Sequence, residues 1–199
     1  MTALAITAFA SNSLICRAAL GPGLIDPATF TTVRLVSAAA VLAVVVFVRR
    51  GHLPQLSFGD WRAAGALFAY AVFFSFGYVL LTTGTGALIL FGSVQLTMFA
   101  WAFYEGERFT AFAWGGLALA AGGLVWLVLP GLEAPDPLGA LFHTISGAAW
   151  GVFSLLIRGA KHPVESNAAN FLICVPLTLV VSALFWADLD ATTPGLALA

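Results

Sequence analysis

Few residues of this chain could do chemistry, and most of these lie inside long apolar stretches. The 199 residues include nine acidic residues, three histidines and two cysteines, and they are not spaced as metal ligands or as an Asp-rich pair. The Gly-x-x-x-x-Gly-Lys-Ser/Thr loop that holds nucleotide phosphates is also missing. We therefore expect no catalytic residues, no bound metal and no cofactor, and an enzyme acting on lipid is the weaker interpretation.

Uncharged polar groups near the middle of the apolar stretches are the best candidates for contact with a solute. Secondary transporters bind their solutes near the membrane midplane, where such groups lie. Hydrogen bonds between helices would explain each group equally well. As a set they predict the lining of a substrate-binding cavity, and they are Asn12, Gln95, Trp150 and Ser154.

His143 shares a helical i, i+4 row with Gly139, Gly147 and Gly151. The row forms a glycine groove in which another helix or a substrate could lie. Close packing of helices accounts for the glycines, whereas the imidazole is a candidate proton carrier or substrate contact.

Arg34 and Arg17 are the charges that lie well inside predicted helices. An arginine at the centre of a bilayer costs at least ~2.5 kcal/mol on insertion scales. Arg34 lies near the outer end of its helix, so a structural role is open, in which it extends to the interface or pairs with Asp26. A role in gating is the alternative.

A second charged group lies where the fourth predicted helix ends, at Glu105, Glu107 and Arg108. Carboxylates are unfavourable at the negative end of a helix dipole, so another group should neutralise them. We expect a network with Arg62 or Arg158, which would act as a gate or as a structural ion pair that caps the loop. A proton relay is a further alternative.

The composition is that of an integral membrane protein. Hydrophobic residues make up 61% and charged residues 9% of the chain, with a mean hydropathy of +1.00, whereas ordinary soluble domains carry roughly 25% charged residues. The net charge is −1 and the basic residues are scattered, so no nucleic-acid partner is indicated. The expected partners are the lipid bilayer and a small-molecule solute, and a homodimer is an open alternative.

Apolar stretches of membrane length predict an all-α, polytopic bundle with seven transmembrane helices. The stretch from Gly86 to Tyr104 carries no charge but has polar groups on two opposite faces, which indicates that other helices surround it. The predicted helices are Thr2–Ala19, Pro27–Val48, Ala63–Leu81, Gly86–Tyr104, Ala111–Leu129, Pro137–Ile157 and Asn167–Ala187, and the residues after Thr192 resemble the start of an eighth.

Basic residues predict the orientation, because cytoplasmic loops are enriched in Lys and Arg. Six of the eight lie beside alternate connections, which places the N-terminus in the cytoplasm and the protein in the plasma membrane. These six are Arg49, Arg50, Arg62, Arg108, Arg158 and Lys161.

A weak internal repeat appears when the chain is shifted by 141 residues. The shift aligns Arg17 with Arg158 and Phe30 with Phe171, among six matches. If each unit holds five helices, the second unit enters from the opposite side of the membrane, which is the inverted repeat of many secondary transporters.

With these features the chain resembles the drug/metabolite transporter superfamily, of the type built from two EamA domains. The marks are Asn12, the Thr29–Arg34 stretch, Gly106-Glu107-Arg108, the glycine pairs 115–116 and 122–123, and Ala149-Trp150-Gly151. The resemblance implies a five-helix repeat at 1–130, a partial second repeat at 137–199, and export of small organic metabolites or drugs by alternating access.

Two features depart from the pattern of that family. The usual aromatic residue before Asn12 is missing, and only two of the five helices of the second repeat are present. We therefore expect these 199 residues to insert in the membrane but to carry little solute by themselves, and a non-transporting membrane subunit is the alternative.

The predicted orientation can be tested with topology reporters. A reporter fused after Arg50 should be active in the cytoplasm, and one fused after Glu133 should be active outside, because the basic loops stay inside. The reverse pattern would overturn the assignment.

Overall fold

A computed structural model describes residues 2–128, 135–186 and 189–199. Throughout these ranges the chain forms helices joined by turns, and the expected all-α architecture is observed. A short 3-10 helix, Leu56–Phe58, precedes α3. The helices are α1 Thr2–Leu20, α2 Pro27–Arg50, α3 Trp61–Leu80, α4 Thr83–Tyr104, α5 Ala111–Val128, α6 Pro137–Leu156, α7 Pro163–Leu184 and α8 Thr193–Leu198.

Five of the eight helices are long and apolar enough to cross a membrane, namely α2, α3, α4, α6 and α7. In α5 the apolar helical segment is Ala111–Gly123, which is shorter than the five membrane-length helices. The predicted count of seven membrane spans is therefore supported for five helices, and the structure does not confirm the other two.

Proline and aspartate explain where α2 and α6 begin. Asp26 caps α2 by accepting hydrogen bonds from the backbone of Ala28 and Thr29, and Pro27 follows at the first helical position. Asp136 caps α6 in the same way, with Pro137 after it. Proline is favoured at this position because its missing N–H would have no helical partner there.

The prediction for α7 was wrong at both ends. The helix begins at Pro163, four residues before the predicted Asn167, and it ends at Leu184 rather than Ala187. Polar residues in the first turn, including a buried Glu165, made this turn resemble a loop. The predicted end of the fifth helix, Leu129, lies outside the described residues.

The centre of the bundle is α6, which packs along α3 and α4. Its glycine row allows the close approach, because a Cβ at Gly139 would lie 2.8 Å from Leu80 and one at Gly151 would lie 2.9 Å from Thr97. A Cβ at Gly147 would meet the backbone of Leu90. Neighbouring helices therefore fill the glycine groove that the sequence indicated.

The polar face of α4 is the face that meets α6. Gly86 and Ser93 are buried on it. The Ser93 hydroxyl donates to the Ile89 carbonyl at 2.8 Å and the Thr97 hydroxyl donates to the Ser93 carbonyl at 2.8 Å. These polar groups are thus satisfied within their own helix, and they serve packing rather than solute binding.

His143 of α6 is inserted between α3 and α4. It is fully buried, and its ring lies edge-on to Tyr78 with 4.5 Å between the centroids. Two glycines make room for it: a Cβ at Gly77 would overlap the imidazole, and one at Gly86 would lie 2.9 Å from its Nε2. The imidazole therefore locks three helices together.

The helices α2 and α7 run antiparallel along each other. At one end of the pair, Arg50 Nε lies 3.0 Å from Glu165 Oε1. At the other, the Asp26 N–H donates to the Asp190 carbonyl at 2.8 Å and the Asp190 N–H donates to Asp26 Oδ2 at 3.1 Å. We call this second set of bonds the Asp26–Asp190 clasp.

Contacts between the two predicted repeats are reciprocal. The third helix, α3, packs on α6 and α7, and α8 in turn packs on α1 and α2. Pro27 and Pro163 both begin helices, and Leu20 and Leu156 both end them. Subtracting 27 from 163 or 20 from 156 gives an offset of 136 residues, so the shift of 141 does not align the helix ends.

The tight fit at His143 predicts that alanine substitutions at two glycines of α3 differ in their effect on stability. Gly77→Ala should lower the free energy of unfolding by about 1–3 kcal/mol, because the added methyl overpacks the imidazole. Gly65→Ala is the matched control, since a Cβ there meets nothing within 4 Å. Thermal unfolding in detergent measures both changes, and equal midpoints for the two variants would contradict the assigned packing.

Candidate functional site

A cavity of about 460 Å³ opens between five helices. Its size is within the range of pockets that hold small organic molecules. The wall combines one charged side chain with aromatic, aliphatic and hydroxyl groups. The lining residues are Asn12 of α1; Thr31, Arg34, Leu35 and Ala38 of α2; Leu67, Tyr70, Ala71 and Ser75 of α3; Trp150 of α6; and Phe171 of α7.

Arg34 supplies the charge of this wall. Its Nη2 donates to Asn12 Oδ1 at 3.0 Å and its Nη1 to Cys16 Sγ at 3.3 Å. Asn12 and Cys16 are one helical turn apart, so a single face of α1 receives the guanidinium. Both partners are uncharged, which leaves the positive charge without a neutralising group from α1.

Two aromatic rings hold the guanidinium from other directions. The central carbon of the Arg34 guanidinium lies 5.4 Å from the centroid of Phe30 and 5.2 Å from that of Phe74. Such contacts favour a cation over a ring face. Together with the α1 contacts they fix where the charge points, toward the cavity.

The expected pair between Arg34 and Asp26 does not form. Asp26 instead uses its carboxylate to cap α2 and to accept from the Asp190 backbone. In the ranges that the structure describes, the ion pairs are Arg50–Glu165 and Arg158–Glu105, and neither involves Arg34.

Hydroxyl groups on the wall are already engaged. Thr31 Oγ1 donates to the Pro27 carbonyl at 2.7 Å and contacts Ser75 Oγ at 2.8 Å. Ser75 Oγ lies 2.9 Å from the Ala71 carbonyl. These hydroxyls join α2 to α3, and the strongest donor that faces the cavity is therefore the guanidinium of Arg34.

Aromatic side chains form much of the remaining wall, and one of them, Tyr70, accepts a hydrogen bond from Arg34 at its hydroxyl. The Tyr70 ring lies 4.7 Å from that of Trp150 and 5.3 Å from that of Phe74, between centroids. Neither Tyr70 nor Phe171 could be assigned to a site from the sequence, because an isolated aromatic residue in an apolar helix faces lipid or core by default. Only the packing of α3 against α6 and α7 reveals them.

The cavity gathers three of the residues that the sequence singled out, Asn12, Trp150 and Arg34. Gln95 lies on an exposed face of α4, outside the cavity. Ser154 donates to the Trp150 carbonyl at 2.8 Å within α6, and His143 is buried between helices. The positions of Gln95, Ser154 and His143 give no support to the predicted solute contacts.

A second group of charges joins the helices at one end of the bundle. Arg158 Nη2 lies 2.9 Å from Glu105 Oε2, with both side chains partly exposed. This matches one of the two partners expected for the acidic end of α4. Glu107 and Arg108 are exposed, and Arg62 donates its backbone N–H to Asp60 at 2.7 Å. Across the described ranges, no three His, Cys, Asp or Glu side chains cluster as metal ligands.

The two ion pairs should differ in their effect on stability. Glu165 is 6% exposed and Glu105 is 40% exposed, and exposed pairs typically contribute less than ~1 kcal/mol. We expect Glu165→Gln to lower the free energy of unfolding by about 1–3 kcal/mol, since it weakens a buried charged hydrogen bond. Glu105→Gln should cost less than ~1 kcal/mol.

Unfolding midpoints in detergent measure these changes. Glu107→Gln is the control, because Glu107 is exposed and belongs to neither pair. A larger loss for Glu105→Gln than for Glu165→Gln would show that burial does not decide the contribution of these pairs.

No family model matches this chain, and no solved structure matches it. One curated relative does: the chain is 46% identical over 199 residues to "Uncharacterized protein PA1977" of Pseudomonas aeruginosa. The match covers 100% of this chain and 69% of that protein. The chain therefore belongs to the same family as PA1977 of Pseudomonas aeruginosa.

Proposed function

We propose that this chain belongs to a multi-pass secondary transporter for small organic solutes, of the EamA type, in the plasma membrane. The observation that carries the proposal is the cavity of about 460 Å³. It lies where α1, α2 and α3 of one predicted repeat meet α6 and α7 of the other. Secondary transporters bind their solutes at such an interface between repeats.

The arrangement of the helices supports the same proposal. Inverted repeats require corresponding helices to run in opposite directions, and α2 and α7 run antiparallel, with Arg50 against Glu165 and Asp26 against Asp190. The reciprocal contacts of α3 and α8 are those that exchange of the two repeats would produce.

The concentration of basic residues at one end of the bundle supports the proposed orientation. Both ion pairs lie at the end where Arg50 and Arg158 are found, and Lys161 and Arg49 lie close by in the sequence. Basic residues mark the cytoplasmic side of membrane proteins. In this proposal the ion pairs face the cytoplasm and the Asp26–Asp190 clasp faces outside.

Transport would then consist of a rocking motion of one repeat against the other. Solute would bind beside Arg34 and Asn12, and the ion pairs Glu105–Arg158 and Arg50–Glu165 would close the cytoplasmic end of the bundle. Breaking and forming the exposed Glu105–Arg158 pair changes the free energy little, as a reversible gate requires, whereas the Arg50–Glu165 pair, with its buried carboxylate, would contribute more to the closed state.

A cavity that serves transport must be open to water, and this can be tested with two alanines of α2. Ala38 lines the cavity, whereas Ala40, two residues further, is exposed on the outside of the bundle, which lipid would cover. In a background with Cys16→Ala and Cys174→Ala, Ala38→Cys should react with a membrane-impermeant methanethiosulfonate reagent. Ala40→Cys should not react, because a thiol in hydrocarbon does not ionise.

Right-side-out and inside-out vesicles show from which side the reagent enters. Monodisperse elution of both variants from a sizing column controls for folding. An inert Ala38→Cys in folded protein, or equal reactivity at both positions, would contradict a water-accessible transport cavity.

A further inference from the structure

We infer that the cavity beside Arg34 binds small organic anions, namely monocarboxylates with an aromatic or aliphatic body. The inference rests on the transport function proposed above, because it names the class of solute that the cavity would carry. It is carried by the juxtaposition of one guanidinium, one amide and a wall of apolar side chains in a cavity of about 460 Å³.

The charge of Arg34 lacks a protein counter-ion in the part of the chain that the structure describes. An arginine stays protonated in proteins, and a charge removed from water is costly unless it is paired. Its contacts are an amide oxygen, a thiol sulfur, the hydroxyl of Tyr70 and two ring faces, all uncharged. No described Asp or Glu lines the cavity.

Arg17 shows how this fold neutralises an arginine that is only structural. Its Nη1 donates to the carbonyl of Tyr78 at 2.7 Å and to that of Val79 at 3.2 Å. Both carbonyls belong to the last turn of α3, where the helix dipole favours a cation. Arg34 has no helix end of this kind among its described contacts, so a ligand is the natural source of the missing negative charge.

The geometry of the guanidinium suits a carboxylate. Arginine offers five N–H donors in a plane. The contacts to Asn12 and Cys16 engage Nη2 and Nη1 once each, Tyr70 accepts a further bond, and donors remain for a ligand. A carboxylate can accept two parallel bonds from such a fork. The phenyl rings of Phe30 and Phe74 hold the fork in place, so little freedom would be lost on binding.

Asn12 adds a second polar contact for the same ligand. Because its Oδ1 accepts from Arg34, the nitrogen of the same amide is the group that can donate to a solute. Donors on both sides favour an anionic head group and disfavour an ammonium group. The cavity thus selects by charge at this end.

The remainder of the wall selects the body of the solute. It is lined by Leu35, Leu67, Tyr70, Trp150 and Phe171, which present aliphatic and aromatic surface. Apolar surface of this kind stabilises a bound molecule in proportion to the area it removes from water. A carboxylate with a phenyl-sized body would place its charge at Arg34 and its ring against these side chains.

The test uses three probes with the same body and different head groups, on the purified wild-type chain in detergent at pH 7. The probes are radiolabelled 3-phenylpropionate as the carboxylate, with unlabelled 3-phenylpropionamide and 3-phenylpropylamine as competitors. We expect saturable binding of the carboxylate, at least tenfold weaker competition by the amide, and weaker competition still by the amine. No saturable binding of the carboxylate, or competition by the amide or amine that equals the carboxylate, overturns the inference.

Variants of Arg34 test the source of the preference. Arg34→Gln should weaken binding of 3-phenylpropionate at least tenfold, while Arg34→Lys should keep the preference for the carboxylate over the amide at reduced affinity, because the charge remains and the fork is lost. Arg108→Gln is the control, since Arg108 is exposed and lies outside the cavity, and it should bind as wild type does. Unchanged binding by folded Arg34→Gln overturns the inference.

The outcomes separate this inference from the proposed function. If Arg34→Gln does not fold, the head-group comparison on the wild-type chain decides alone. A reactive Ala38→Cys without preference for the carboxylate refutes the anion site and leaves the transport proposal standing. An inert Ala38→Cys with preferred binding of the carboxylate refutes transport and leaves the anion site standing.

Discussion

The structure depends on how closely α6 approaches α3 and α4. Without a hydrophobic driving force between helices in lipid, association relies on close packing, which small residues permit. Glycines at 139, 147 and 151 bring α6 against its neighbours, and Gly77 and Gly86 on those neighbours admit the ring of His143. This packing places Trp150 opposite Tyr70 and so sets one wall of the cavity.

Five polar side chains within the apolar bundle form hydrogen bonds of two different kinds. Ser93, Thr97 and Ser154 bond back to carbonyls of their own helices, which lets them lie in an apolar layer at little cost. Arg34 contacts side chains of α1, and Thr31 contacts Ser75 of α3 in addition to a carbonyl of its own helix. Arg34 and Thr31 line the cavity, whereas Ser93, Thr97 and Ser154 are not part of its wall.

Much of the fold could be predicted from the sequence, because apolar length, Pro and Asp fix where helices begin. Residues such as Asp26-Pro27 and Asp136-Pro137 cap helices by local chemistry alone. The start of α7 could not be predicted, since its polar first turn is stabilised by the contact of Glu165 with Arg50, which is distant in sequence.

The site was predictable only in part, for the same reason. Asn12, Arg34 and Trp150 are conspicuous in apolar segments, and the cavity brings them together. Gln95 is as conspicuous but lies on an exposed face, because the faces of α4 cannot be assigned until its neighbours are known. Tyr70 and Phe171 cannot be recognised as site residues from the sequence, because aromatic residues are common in apolar helices.

Different interactions hold the two ends of the α2–α7 pair: hydrogen bonds at one end and an ion pair at the other. The Asp26–Asp190 clasp consists of hydrogen bonds that involve the backbone, whereas Arg50 and Glu165 attract each other as charges, with Arg50 half exposed. Dissolved ions screen exposed charges over about 8 Å at physiological ionic strength, and they weaken hydrogen bonds to the backbone far less. The ion pair is therefore the end of the α2–α7 contact that responds more to ionic strength, so salt on the face of the membrane that holds Arg50 weakens that end more than it weakens the clasp.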